Sequence, residues 1–435
     1  MKVLRCTPRL TALLSPVLIL FCCAAGAGAT PPPQPAPITA DQFRDDVAFI
    51  RASIARMHPD PGFSTDPAAM QAALDQLLVD LPATMSRDAS WRRLATLNPL
   101  LADGHFLIGY PDWRGETRAW LAEGGSLFPA EVSIDADGKL FLRADSAAPA
   151  LAPARIVSVN DIAADQLVTT LQATVHGDTP AFRRQLLAQR WWLYYWKIYG
   201  TPAHYRLTLE QDGKQRTVIL AGSRDLPLVL RDEARLPYEL TIRPDGVAVL
   251  TISSFNLADA APFLDFTRAA FTRIKAEGVS TLEIDISRNG GGSDAIWLEG
   301  VMPYLATWPY RTGSTYRSMT RPQADVPSKL IDGEITTWRQ PQLDNPLRFG
   351  GAVTVRIGPG TYSSAILFAN VMRDFGFGTL VGTGTGGAAR QTQSGGVRDV
   401  TLPHSGLVLS LPRFILDPPA GRTPGALLVP AAISR

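Results

Sequence analysis

Ile284-Asp-Ile-Ser-Arg-Asn-Gly-Gly-Gly292 reads as the end of a buried strand running into three glycines. Glycines at the carboxyl end of a strand leave backbone N–H groups open to a ligand, and donors aimed at one point make an oxyanion hole. Some seventy residues later, Ile357-Gly-Pro-Gly-Thr-Tyr-Ser-Ser-Ala-Ile366 repeats the pattern of strand, sharp turn and helix start. Ser363 falls at the helix N-terminus, where the macrodipole and free amides favour developing negative charge. This is the layout of a nucleophile elbow without the G-x-S-x-G spelling, although a serine there is also an ordinary helix cap.

The surrounding pattern is α/β. Val247–Ile252, Thr281–Ile286, Val353–Ile357, Thr379–Val381 and Leu407–Leu411 read as strands, with helical spacing at Phe263–Ile274 and from Ser364 to Phe375. Strand–helix alternation with short loops predicts a layered α/β catalytic domain over 238–435. Upstream, 113–237 reads as a β-rich module. Asp137-Gly138 turns a hairpin between Val132–Ile134 and Leu140–Leu142, and Asp212-Gly213 turns Tyr205–Glu210 into Thr217–Leu220. The aromatic run Trp191–Trp196 inside it fits a core or a domain interface better than a ligand box. Residues 38–112 have helical spacing, with Asp88 or Ser90 as the expected cap of the third helix.

The start of the chain reads as a targeting segment. Lys2, Arg5 and Arg9 precede an apolar run from Leu10 to Ala25, and small residues end in Ala27-Gly28-Ala29. This predicts a signal peptide over 1–29 and a proline-rich linker over 30–37. The alternative is a retained anchor, for which the run is short. Cleavage would leave about 406 residues and remove three basic residues, so 42 basic against 40 acidic becomes 39 against 40. It would also remove Cys6, Cys22 and Cys23, all the cysteines present. That excludes disulfides, thiol nucleophiles and thiolate metal sites from the mature chain, which is expected to be periplasmic or extracellular with no stable membrane anchor. The near-neutral balance with no basic run argues against nucleic acid as a partner. No P-loop, CxxC or HExxH occurs, and no cofactor or metal is expected.

A serine nucleophile needs a base, and five histidines are available. His58 reads as helix-terminal and structural, and His176 and His204 as residues of polar loops. His404 lies close in sequence to the catalytic strands. His105, in Leu101-Ala-Asp-Gly-His-Phe106, follows the helical domain.

Together these pieces resemble the C-terminal-processing and tricorn-type serine peptidases, which include the interphotoreceptor retinoid-binding protein repeats. The family's strand into Asp-x-Arg-x-Asn and glycines is met by Asp285–Gly292, with the arginine one place late. Its Thr-Phe-Ser-Ala-Ala-Glu is met by Thr361-Tyr-Ser-Ser-Ala-Ile366, and its Leu-Pro-Asn-Ser-Gly by Leu402-Pro-His-Ser-Gly406. Thr379-Leu-Val-Gly-Thr-Gly-Thr-Gly-Gly387, the Asp-Gly-His segment and His58-Pro59 fit as well. The resemblance implies a helical domain, a PDZ-like module and a catalytic domain of the Clp-protease/crotonase type. It carries over Ser363 as nucleophile and the amides of Gly291 and Ser364 as oxyanion hole. The family's Ser–Lys branch would need a lysine near Ala388, and none follows Lys329, so the histidine-base branch with His105 remains. The family's serine before that histidine is Gly104 here. Its late glutamate is missing, because none follows Glu334, and the corresponding place falls near Pro424. Asp103 and Asp417 are the remaining candidate acids. Ile366 and Ala431 replace two further acidic positions.

These readings predict an exported serine peptidase acting on peptides or unfolded proteins. The alternatives are a degenerate relative that binds a peptide or apolar ligand in the cleft, and an esterase using the same serine. The sequence sets neither substrate nor oligomeric state.

Overall fold

The computed structural model describes residues 36–144, 151, 153–232, 235–320, 328–393, 398–421 and 427–430. The expected signal peptide, most of the linker, the three cysteines, the position near Pro424 and Ala431 lie outside the described residues. The fold is mixed α/β with several sheets.

The sheet that carries the serine segment has five strands. Their spatial order is Tyr238–Ile242, Val247–Ile252, Thr281–Asp285, Ala352–Ile357 and Thr379–Gly382. The first pairs antiparallel and the rest pair parallel. Parallel strands end at a common edge, where ligands bind in open α/β sheets. Both glycine-bearing turns leave from that edge, after Asp285 and after Ile357. The core is built from alternating inward residues such as Leu250, Ile252, Leu282, Ile284, Val355 and Ile357, all at most 1% exposed. Ala261–Ala276 buries Phe263, Phe271 and Ile274 as one apolar stripe.

Two smaller sheets carry other parts of the site. Leu330–Glu334, Thr315–Met319, Phe414–Leu416 and Gln391–Thr392 form an antiparallel sheet. Leu107–Gly109 joins Val408–Leu411 and Arg398–Thr401, so a strand from the helical region pairs with one near the C-terminus. Val408–Leu411 therefore lies outside the five-stranded sheet that its sequence neighbourhood suggested.

Helices Ala40–Met57, Pro67–Gln76, Arg87–Leu94 and Leu97–Leu100 fill the predicted helical region. The third is capped by Ser86, whose hydroxyl accepts the Ala89 N–H, because that helix begins one residue before Asp88. Asp88 and Ser90 lie within it, and Asp88 accepts the Tyr110 O–H at 2.6 Å. In the β-rich region, both Asp-Gly hairpins form as expected, with Asp212, Gly138 and Gly213 at positive φ. The aromatic run is helix Trp191–Tyr199, with Trp191, Trp192, Tyr194 and Tyr195 buried. No helix among the described residues is long and apolar enough to cross a membrane.

Asp46, fully buried on helix Ala40–Met57, accepts the backbone N–H groups of His404 and Ser405, both at 3.0 Å. It fixes the turn that leads into Val408–Leu411, and so the partner of the strand after His105. Replacing Asp46 by Ala leaves two amides without acceptors, and we expect a loss of about 2–4 kcal/mol in urea unfolding. A loss under about 0.5 kcal/mol would contradict this role.

Candidate active site

Ser363 lies between the strand Ala352–Ile357 and the helix Ser364–Asp374, with φ +55° and ψ −128°. A non-glycine residue here is strained by about 1–3 kcal/mol and must be held by its surroundings. Gln391 Nε2 donates to the Ser363 carbonyl at 2.9 Å, and Thr361 Oγ1 ties the turn to the Ile286 carbonyl at 2.8 Å. The strand–turn–helix layout read from the sequence is present.

His105 reaches this serine from the loop before Leu107–Gly109. Asn98, itself 1% exposed, secures that strand. It accepts the Ile108 N–H at 2.8 Å and donates to the Ile108 and Thr174 carbonyls. His105 Nε2 lies 3.0 Å from Ser363 Oγ, and Nδ1 lies 2.9 Å from Thr392 Oγ1. Thr392 in turn donates to Asp103 Oδ1 at 2.8 Å. That last bond fixes the proton order. A threonine hydroxyl that donates to a carboxylate accepts from its other neighbour, so Nδ1 carries the imidazole proton. Nε2 is then the acceptor facing Ser363.

Of the two candidate acids, Asp103 belongs to this chain of contacts. Asp417 does not. Its Oδ1 pairs with Arg390 Nε at 2.6 Å and its Oδ2 accepts from Thr315. His404 is likewise remote, facing Asp45 at 3.3 Å on the outer side of the turn. The alternative serine, Ser364, has its hydroxyl between Asp294 and the Trp297 indole N–H, which donates at 3.0 Å. Ile366 is fully buried, so an acidic side chain at that place would sit in the core.

Of the two amides expected at the oxyanion hole, Ser364 N–H has no hydrogen-bond partner among the described residues. The Gly291 N–H already donates to Asn289 Oδ1 at 2.8 Å. Gly291 nonetheless lies against the nucleophile: a Cβ on it would stand 2.6 Å from Ser363 Cβ.

Burial sets the electrostatics. It pushes the His105 imidazole down to about 3, and His176 and His58 down to about 3 and about 4. Burial pushes Asp103 up to about 6, against the hydrogen bonds from His105 N–H and Thr392. Asp103 Oδ2 is buried without a hydrogen-bond partner and faces His58 Nε2 at 4.0 Å. His58 Nδ1 accepts the Asp60 N–H, so its ring proton is on the side of Asp103.

Sequence reasoning missed several neighbours. Thr392 sits in a two-residue strand, and His58 and His176 are buried beside the site rather than purely structural or in a polar loop. His204 opens the strand His204–Gln211 and is exposed. Tyr362 and Asp178 also belong to the site. Tyr362 donates to Asp178 Oδ1 at 2.6 Å, and its ring explains Gly104, since a Cβ there would meet Tyr362 Cζ at 2.5 Å. Among the described residues no group of three or more His, Cys, Asp or Glu side chains is arranged to hold a metal ion.

The sequence of 246–423, which holds the four parallel strands of the five-stranded sheet and the Ser363 turn, matches Peptidase family S41. The C-terminal-processing and tricorn-type resemblance seen in the S41 motifs is borne out. Mature CPAF is similar in fold, with TM-score 0.64 and 14% identity over 90% of this chain and 92% of that one. Mature CPAF complexed with lactacystin gives 0.61 and 13% over 88% and 93%. The photosystem II D1 C-terminal processing protease is a weaker likeness, at 0.45 and 16% over 90% and 91%. A search of curated sequences finds no match.

Gly291 has φ +100° as well as no room for a side chain. We therefore expect Gly291→Ala to displace Ser363 and abolish its reaction with a fluorophosphonate, with about 2 kcal/mol of lost stability in thermal melts. Labelling at the parent rate would show that Gly291 does not position the serine.

Proposed function

We propose that this chain is an exported serine peptidase of the histidine-base type, with Ser363 as nucleophile and His105 as general base. The observation that carries the reading is the single proton order along Ser363, His105, Thr392 and Asp103. It gives a hydroxyl facing an unprotonated ring nitrogen, which is what activation of serine requires.

In this reading Ser363 Oγ attacks the scissile carbonyl carbon while its proton moves to His105 Nε2. The imidazolium keeps its Nδ1–H bond to Thr392, and the Asp103 carboxylate at the far end balances the new charge. His105 then gives the proton to the leaving amine, and water repeats the sequence on the acyl-enzyme. The Ser364 N–H takes the oxyanion. Gly291 supplies the second N–H by giving up its contact to Asn289 as charge develops. Ser363 and His105 are 3% and 8% exposed, so the reacting pair is largely shielded from water.

Asp103 and Thr392 take over what Gly104 and the missing late glutamate cannot supply. A buried neutral histidine is a poor base, and a carboxylate reached through a hydroxyl restores its basicity as the proton arrives. The central module is PDZ-like and the α/β domain Clp-protease/crotonase-like in this account, with domains over 38–112, 113–237 and 238–435. Export rests on the charged and apolar N-terminal pattern of 1–29.

The first test is hydrolysis of a panel of peptides and esters. Ser363→Ala and His105→Gln should each lower kcat by about 10²–10⁴-fold without unfolding the chain. Cleavage of esters alone would favour an esterase. No turnover of any substrate by the folded parent chain would refute catalysis and favour a ligand-binding role.

The pH dependence follows from Asp103. Its charge is needed for activity, so kcat/KM should rise with pH through about 6. Stability runs the other way. A carboxyl whose folded value lies above its unfolded one contributes stability that is full below about 4 and lost as pH rises through about 6. Asp103→Asn should remove this acid limb and reduce the loss of stability as pH rises through about 6, leaving the part due to buried Asp178. An acid limb unchanged in Asp103→Asn would assign it to another group.

A further inference from the structure

Asp178 comes from the central β-rich region, just before helix Pro180–Gln189, yet it bonds to Tyr362, which stands beside the candidate base. Its Oδ1 accepts the Gly104 N–H at 2.7 Å and the Tyr362 O–H at 2.6 Å. The Tyr362 hydroxyl also accepts from Gly104 N–H at 2.9 Å and stands 3.5 Å from His105 Nδ1. Two backbone positions are kept clear for this pair. A Cβ on Gly104 would strike the Tyr362 ring, and one on Gly387 would stand 2.7 Å from both Asp178 Oδ2 and the ring. Phe182 stacks on the other face of that ring, with centroids 4.5 Å apart and planes at 16°.

We propose that Asp178 and Tyr362 are positioning residues that hold and polarise His105, a second arm supplied by the central region beside the Thr392–Asp103 arm. The proposal rests on His105 being the base. The geometry gives the arm its sense. A phenol that donates to a carboxylate is a better acceptor, and its oxygen lies on the Nδ1 side of the ring. When His105 becomes imidazolium, Asp103 and Asp178 flank it with negative charge through one hydroxyl each. The other ionisable groups facing this cluster are His176, which is uncharged because of its burial, and Arg183, whose guanidinium donates to the Gly177 carbonyl at 2.7 Å. Asp178 is itself raised to about 7, by burial first and by Asp103 next, as expected for two carboxyl groups buried near each other.

The test is the saturation kinetics of fluorophosphonate labelling at Ser363, together with the titration of His105 followed by NMR of ¹⁵N-histidine protein. Tyr362→Phe keeps the ring stack and removes only the hydroxyl. Asp178→Asn keeps an oxygen acceptor for both donors and removes only the charge. Each should lower the maximal labelling rate by about 10- to 100-fold at unchanged half-saturation. In Asp178→Asn the His105 titration should move to lower pH. Parent-like labelling rates in both variants would overturn the arm while leaving the serine–histidine reading intact. If the parent itself fails to label, that reading falls. The arm then stands or falls on the titration, with an unmoved His105 midpoint in Asp178→Asn overturning it.

Discussion

The contact between His105 Nε2 and Ser363 Oγ joins residues 258 positions apart, and the fold is arranged around it. Ser363 is delivered by the five-stranded sheet, at the edge where its parallel strands end. His105 is delivered by a strand that pairs with Val408–Leu411, and Thr392 by a third sheet through its pairing with Ile415. Each sheet has its own reason to form, namely alternating buried residues and a turn that sets register. The site exists only where the three meet. This is why Asp46 and Asn98, which touch neither reacting atom, matter to it.

The polar groups at the meeting point are buried, and burial without partners is costly. The structure meets that cost by ordering donors and acceptors in one direction. Thr392 is central because a hydroxyl both donates and accepts. It turns a carboxylate that cannot reach the ring directly, at 4.0 Å from Nδ1, into a partner that can. The leftover is Asp103 Oδ2, which faces His58 without a hydrogen bond. An acid held partly unsatisfied and raised by burial gains most when positive charge appears nearby, and in the proposed mechanism proton transfer to His105 would supply that charge.

The parts legible in the sequence were those whose signal is local. The glycine run after Ile286 and the turn before Ser364 announce themselves in a few residues. Leu282, Ile284, Val355 and Ile357 alternate cleanly because both sides of their strands meet different surroundings. Thr392 gave no such signal, since Gln391–Thr392 is two residues long and its neighbours are polar. Asp178 lies just before a helix that Thr179 caps, with no pattern around it to mark a site. Its partners are 74 and 184 positions away, so only the folded chain connects them. Of the two acids that the sequence offers, Asp103 lies beside His105 in the chain and Asp417 near the C-terminus, where the family pattern has its acid. Asp417 lies in that region and is consumed by Arg390 instead. The third-helix cap, Ser86, lies two and four residues before the expected Asp88 and Ser90, because it sits outside the apolar repeat that marks the helix.

The central claim is that Thr392 and Asp103 act on His105 as one unit. A double-mutant cycle in kcat/KM tests it most directly, using Thr392→Val, Asp103→Asn and the pair together. The account predicts that each single change costs about 10²-fold or more and that the pair costs hardly more than the worse single change. Losses that simply multiply would show two independent residues and contradict the relay.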